Sequence, residues 1–282
     1  MEEHKEKWFS LYIFYHENAD RLLIELIHPF IWQWRRPWFF IRYWEGGNHI
    51  RLRLKASENE HNAIVKALSP GNAAIKTIQT ARYEPEIDRY GNYESIVWAE
   101  QYFECSSHYV LNWIVKREAN QSIITQAIKL HLSLLHTLKW DEEDLIAVCN
   151  FFLDGWLPKL YNSTDPREEQ RTFWLSQFEK VFVPLKNQTL QAGKQFWQQL
   201  NQDIVDDDLM EYLSKTTKVI CSYQKIDFEK NKMFQVISSF MHMNNNRLGI
   251  SNYEEAYIMY IITVCLRFIH ENSIQQSSKC LL

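Results

Sequence analysis

The segment His49-Ile50-Arg51-Leu52-Arg53-Leu54 alternates cationic and apolar residues without a break. In a β-strand the period of two sends His49, Arg51 and Arg53 to one face and Ile50, Leu52 and Leu54 to the other. The apolar set belongs to a core, so the cationic set lines a surface or a cleft. Gly46-Gly47 just upstream signals a hairpin with the aromatic run 38–44. A two-residue or four-residue loop would pair Trp44 with His49, Arg42 with Arg51 and Phe40 with Arg53. Arg42 and Arg51 would then face each other, and like charges in cross-strand register repel. Such a cluster makes physical sense over a bound anion, because guanidinium forks match carboxylate or phosphate. The plain alternative is a solvated face whose arginines pair with nearby carboxylates. A three-residue loop would change the register.

Two further constellations carry titratable groups. In Tyr83-Glu84-Pro85-Glu86-Ile87-Asp88-Arg89-Tyr90-Gly91, Pro85 resists a helix immediately before it, which predicts a loop. Glu86 and Arg89, three apart, either face a common site or form a local ion pair. In His242-Met243-Asn244-Asn245-Asn246-Arg247-Leu248-Gly249, a helix through Phe234, Ile237 and Met241 ends at Gly249. His242 is there either a proton-transfer group or a hydrogen-bonded core histidine.

These segments must be positioned by a scaffold. Residues 8–15, 38–44, 49–55 and 75–83 read as strands. Residues 18–34 have helical spacing, interrupted by Pro29. Ser57 with Glu60 is a capping box for a short helix that Pro70-Gly71 ends. From about residue 94 the chain reads as helical: Asp141 with Asp144 caps one helix, Asp165-Pro166 opens another, and Ser251 with Glu254 precedes the long apolar helix 252–270. The expected fold class is α+β, one unit over 1–282, with a sheet-rich module (1–92) and a mainly helical part (93–282).

Composition narrows the chemistry. Aromatic residues make up 15% of the 282 residues and apolar ones 46%, ample for a folded core. The net charge of −4 argues against a broad nucleic-acid surface, which normally carries a basic excess. The five cysteines are scattered and odd in number, which predicts a reducing compartment without a disulfide framework. The charged start MEEHKEKW has no signal-peptide core, and the longest apolar run is too short to span a bilayer. A cytoplasmic location is expected. GxGxxG, GxxxxGK[ST], HExxH, GxSxG and spaced Cys/His quartets do not occur, so no cofactor or metal is expected.

Taken together, the WFSLYIFY strand, FFIRYW followed by HIRLRLK, YEPEIDRYG followed by WAEQYF and Ser106, and HMNNNRLG resemble the C-terminal elimination domain of lantibiotic dehydratases, also called the thiopeptide-type bacteriocin biosynthesis domain. They occur in family order across residues 8–249. The resemblance implies a lyase that expels glutamate from glutamylated Ser/Thr of a ribosomal precursor peptide, giving dehydroalanine or dehydrobutyrine. It places catalytic roles on Arg51, Arg53, Glu86, Arg89 and His242. Arg42, from the hairpin pairing, and His49, Ser106, Asn246 and Arg247, beside these residues, are the expected substrate contacts. Two local departures from the family pattern, Asn92 after Gly91 and Cys105 before Ser106, concern loop conformation more than chemistry. The sequence holds no match to the family's glutamylation domain, so the expected partners are a glutamylated precursor peptide and a separate glutamylation protein using glutamyl-tRNA. Two alternatives share the scaffold: a pyridine synthase joining two dehydroalanines by formal [4+2] cycloaddition, and a non-catalytic precursor-binding subunit.

Overall fold

The computed structural model describes residues 6–69, 75–162 and 164–279, with side chains in the last helix as far as Asn272. Pro70-Gly71, Ser163 and Cys280 lie outside the described residues. The chain opens with β1 (Lys7–Tyr15). Next come α1 (Ala19–Leu22), a π-helical turn over Leu23–Ile27 and α2 (His28–Gln33), which run continuously. The π turn ends just before Pro29, so the ring that lacks an N–H falls in the first turn of α2. The helix therefore passes the proline by a local change of pitch instead of stopping.

The strands β2 (Trp38–Tyr43), β3 (His49–Ala56) and β4 (Ile75–Ala81) join β1 in an antiparallel sheet of order β2-β3-β1-β4, with α3 (His61–Leu68) between β3 and β4. One face of the sheet is the expected apolar one: Leu11, Ile13, Ile50, Leu52 and Leu54 are all fully buried. The helical part comprises α4 (Ile96–Lys116), α5 (Ile123–Leu138), α6 (Glu142–Trp156), α7 (Arg167–Phe182), α8 (Lys186–Asn201), α9 (Asp207–Tyr223), α10 (Lys230–Leu248) and α11 (Asn252–Lys279). The α+β class and both halves of the expected architecture are thus present. Asp141 caps α6 through the Asp144 N–H at 2.9 Å, and the Ser57/Glu60 box closes as expected. Pro166 sits one position earlier than expected, as the residue preceding α7.

The hairpin register differs from expectation. Five residues, Trp44 to Asn48, separate the paired Tyr43 and His49, and both glycines take positive φ. The odd loop shifts the pairing by one residue. Ile41 lies opposite Arg51, Phe39 opposite Arg53, and Arg42 opposite Ile50. One slip of register exchanges the faces, so Arg42 points away from Arg51 and the expected repulsion does not exist. Arg42 instead pairs with Asp20 at 2.5 Å and donates to the Arg247 carbonyl at 2.8 Å, while Arg117 holds the other Asp20 oxygen at 2.9 Å.

The central helix is α10. Consecutive helical residues point about 100° apart, so Asn244, Asn245 and Asn246 address three different neighbours. Asn244 accepts from Ser106 and donates to Tyr102 on α4. Asn245 meets His131 on α5 and Glu255 on α11. Asn246 takes both backbone groups of Arg42, accepting from its N–H at 2.9 Å and donating to its carbonyl at 2.8 Å. Ser107 on α4 accepts from the Phe40 N–H. Two side chains thus satisfy the outer edge of β2 and dock the helices against it, where a bare strand edge would leave backbone groups unpaired.

Candidate functional site

The second sheet face, carrying Tyr12, His49, Arg51 and Arg53, is roofed by the segment 83–90 and by α10. Between them lies a cavity of about 140 Å³ bordered by Arg51 and Arg53 from β3, Tyr83, Glu86 and Arg89 from the roof, and His242 and Asn246 from α10. Residues from three segments well separated in the chain therefore meet at one place.

Arg53 is the most demanding of them. It is only 5% exposed, yet its Nε and Nη1 have no hydrogen-bond partner. The rings of Tyr12 and Tyr83 lie 5.4 and 5.6 Å from its guanidinium carbon. Burial, with Arg51 adding like charge, pulls its pKa down to about 10. A buried cation with two idle donors is costly, and an anion entering the cavity would relieve that cost.

Arg51 lies flat on Tyr43, 3.3 Å from the ring centre, and near Tyr12 at 4.8 Å. Its Nε contacts His49 Nε2 at 3.4 Å. His49 does not border the cavity. Its Nδ1 lies 2.7 Å from the Gly47 carbonyl, which only accepts, so the proton sits on Nδ1 and Nε2 is left to receive Arg51. Burial holds the His49 pKa below its ordinary value, which suits this neutral supporting role.

The roof is held by local chemistry. Gly91 has φ +113°, and a Cβ there would stand 2.3 Å from Ser95 Oγ and 2.9 Å from Phe228. Asn92, the departure noted in the sequence, accepts from the N–H groups of Glu94 and Ser95 at 2.9 Å and so caps the approach to α4. Arg89 bridges from Glu86 at 2.9 Å to Ser239 on α10 at 3.1 Å. Glu86 stays largely exposed. Tyr83 is half-buried, and its loss of solvent and Glu100 raise its pKa well above normal, keeping a neutral phenol beside Arg53.

His242 lines the cavity with its Nδ1 turned away, 3.0 and 3.1 Å from the two carboxylate oxygens of Glu255. Trp156 packs on the imidazole at 4.7 Å between ring centres. Glu255, Tyr83, Ser239 and Trp156 escaped the sequence reading. Glu255 stands beside the capping Glu254, and only the fold distinguishes the two.

Three expected substrate contacts lie elsewhere. Ser106 is fully buried and donates to Asn244 at 2.6 Å. Arg247 is fully buried beneath the cavity floor, donating to Ser107 at 2.8 Å and to the Met243 carbonyl at 3.1 Å; burial pulls its pKa down to about 10. Arg42 is engaged with Asp20. All three hold elements together, because their faces are turned toward the helix packing and away from the cavity. Asn246 borders the cavity but spends its amide on β2.

A profile of the family described as "Lantibiotic biosynthesis dehydratase C-term" matches residues 8–266. The chain belongs to this family. Nisin biosynthesis protein NisB of Lactococcus lactis subsp. lactis is 24% identical over 230 residues, covering 79% of this chain but 21% of NisB. Among solved structures, the tRNA-dependent lantibiotic dehydratase MibB from Microbispora sp. 107891 superposes with TM-score 0.62 at 17% identity, over 95% of this chain and 28% of MibB. The pyridine synthase TbtD from thiomuracin biosynthesis superposes with TM-score 0.69 at 13% identity, over 93% and 98% of the two chains. These structural likenesses establish a shared fold. The chain spans about a fifth of NisB and just over a quarter of MibB. Among the described residues no helix is long and apolar enough to cross a membrane.

Proposed function

We propose that this chain is a lyase that expels glutamate from glutamyl esters of Ser and Thr in a ribosomal precursor peptide, leaving dehydroalanine or dehydrobutyrine. The observation that carries the reading is the convergence of Arg51, Arg53, Glu86, Arg89 and His242 on one cavity, with Arg53 buried and two of its donors idle. Esterification converts hydroxide, a poor leaving group, into a carboxylate. What remains is removal of the Cα proton and cleavage of the Cβ–O bond. The glutamyl adduct offers a carboxylate for Arg53 and Arg51 and an ammonium for Glu86, a match of mixed charge to mixed charge. A fixed guanidinium also stabilises the enolate as it develops. His242, with Nδ1 held by Glu255, has Nε2 left for proton transfer.

The net charge of −4 supports a division of labour in which a separate polypeptide carries out the glutamylation with glutamyl-tRNA. The test is direct. Purified protein is mixed with a synthetic peptide carrying a glutamyl-Ser ester, and glutamate release and dehydroalanine formation are followed by mass spectrometry. Release with chelator present and without ATP is expected; an ester that survives refutes the reading. The near-complete overlap with TbtD favours a second reading, formal [4+2] cycloaddition. A bis-dehydroalanine peptide incubated in parallel decides between them.

A further inference from the structure

The carboxylate that Glu255 presents to His242 is built at some cost. Its side chain is 2% exposed and lies in the first turn of α11, just after Gly249 reverses the chain from α10. His242 and Asn245 are three apart on α10 and so share a face. Both reach the same carboxylate: His242 Nδ1 at 3.0 and 3.1 Å, Asn245 Nδ2 at 3.2 Å. Asn245 Oδ1 is in turn 2.7 Å from His131 Nε2 on α5. Burial lowers the His131 pKa to about 4, so that imidazole is neutral and donates from Nε2. Each donor in the chain His131–Asn245–Glu255–His242 is thus aligned on the Glu255 carboxylate, His131 through the Asn245 amide. A buried carboxylate is seldom justified by stability alone.

We infer that Glu255 is a positioning residue for His242: it fixes the Nδ1–H tautomer and leaves the Nε2 lone pair free, so that His242 acts as the base that removes the Cα proton. This rests on the elimination reading above. Nε2 takes the proton, its Cα–H electron pair becomes the Cα=Cβ bond, and the Cβ–O pair departs with the glutamate carboxylate. The imidazolium formed faces the Glu255 carboxylate at hydrogen-bond distance and later returns its proton to solvent or to the released glutamate. A carboxylate that orients a histidine and stabilises its cation acts in this way in many hydrolytic and metal sites. The groups that set the local charge are Glu86 and Arg89 from the roof, Arg51 and Arg53 from the sheet, exposed Lys159 following α6, and neutral His131 from α5.

The test compares the native chain with Glu255→Gln, which keeps the shape and an oxygen for Asn245 but loses the charge. Histidine ring nitrogen shifts measured by NMR should show His242 protonated on Nδ1 in the native chain. In Glu255→Gln the side-chain oxygen can serve Asn245 while the amide nitrogen faces His242, so the Nδ1–H tautomer should lose its preference and the proton should move to Nε2. Turnover of the glutamyl-ester peptide should fall ~10–100-fold with little change in KM. An unchanged tautomer, or unchanged turnover, overturns the inference. If the Gln chain does not fold, Glu255→Asp decides, because it retains the charge: it should keep the Nδ1–H tautomer and most of the turnover, and loss of both overturns the inference. A native chain that releases no glutamate refutes the elimination reading, while the NMR comparison still decides the pairing.

Discussion

Replacing Arg53 by Met separates binding from folding at this site. The side chain is 5% exposed and leaves Nε and Nη1 without partners. Its pKa, held at about 10, corresponds to a penalty of roughly 3 kcal/mol on the charged form. Against this stand the contacts with Tyr12 and Tyr83, worth about 0.5–1 kcal/mol each at these distances. Met fills similar volume with no donor to satisfy, so the free protein should gain ~1–2 kcal/mol in unfolding free energy, a rise in Tm of roughly 2–4 °C per kcal/mol. The binding arm runs the other way. A dicarboxylate such as glutarate, present at about 100 times its Kd, should stabilise the native chain by ~2.7 kcal/mol and leave Arg53→Met nearly unmoved. Differential scanning fluorimetry across a glutarate series reads both arms. A variant that loses stability in the free state, or one that responds to glutarate as the native chain does, would refute the reasoning.

His242→Phe should leave the fold intact and let glutamylated peptide accumulate, slowing glutamate release ~10²–10⁴-fold; normal activity per folded molecule would return His242 to the core. Arg42→Gln should cost ~1–2 kcal/mol in urea denaturation, because Asp20 loses its nearer partner at 2.5 Å from a part-buried pair and keeps only Arg117, while activity per folded molecule stays native. Gly91→Ala forces a Cβ to 2.3 Å from Ser95 Oγ at φ +113° and should destabilise by ~2 kcal/mol or more, with loss of activity as the roof moves. His131 resists protonation until about 4 when folded, whereas the unfolded imidazole accepts near 6.5. The unfolded state therefore gains protons first, and stability falls as the pH drops through that window, by roughly 2 kcal/mol at pH 5. His131→Gln should flatten that part of a denaturation-versus-pH curve.

The sequence by itself determined the strands, their inward and outward sets, and most of the helix starts. Each is a local property: the two-residue pleat of HIRLRL, the Asp141 cap and the Ser57/Glu60 box involve neighbours a few residues apart. It also brought out Arg51, Arg53, Glu86, Arg89 and His242, all of which border the cavity, because cationic alternation, Glu86 with Arg89, and the histidine before a helix end are all unusual over short spans. The hairpin register was not legible. Two-, three-, four- and five-residue loops are close in energy around Gly46-Gly47, and the choice was made by distant groups, the Asn246 amide on the edge of β2 and Asp20 waiting for Arg42. The same holds for Ser106 and Arg247, whose polarity suggested substrate and whose partners turned out to be other core side chains. Glu254 and Glu255 differ by one helical step, about 100°. That rotation leaves one capping a helix in solvent and brings the other, buried, to His242. Only the packing of α11 against α10 decides which is which.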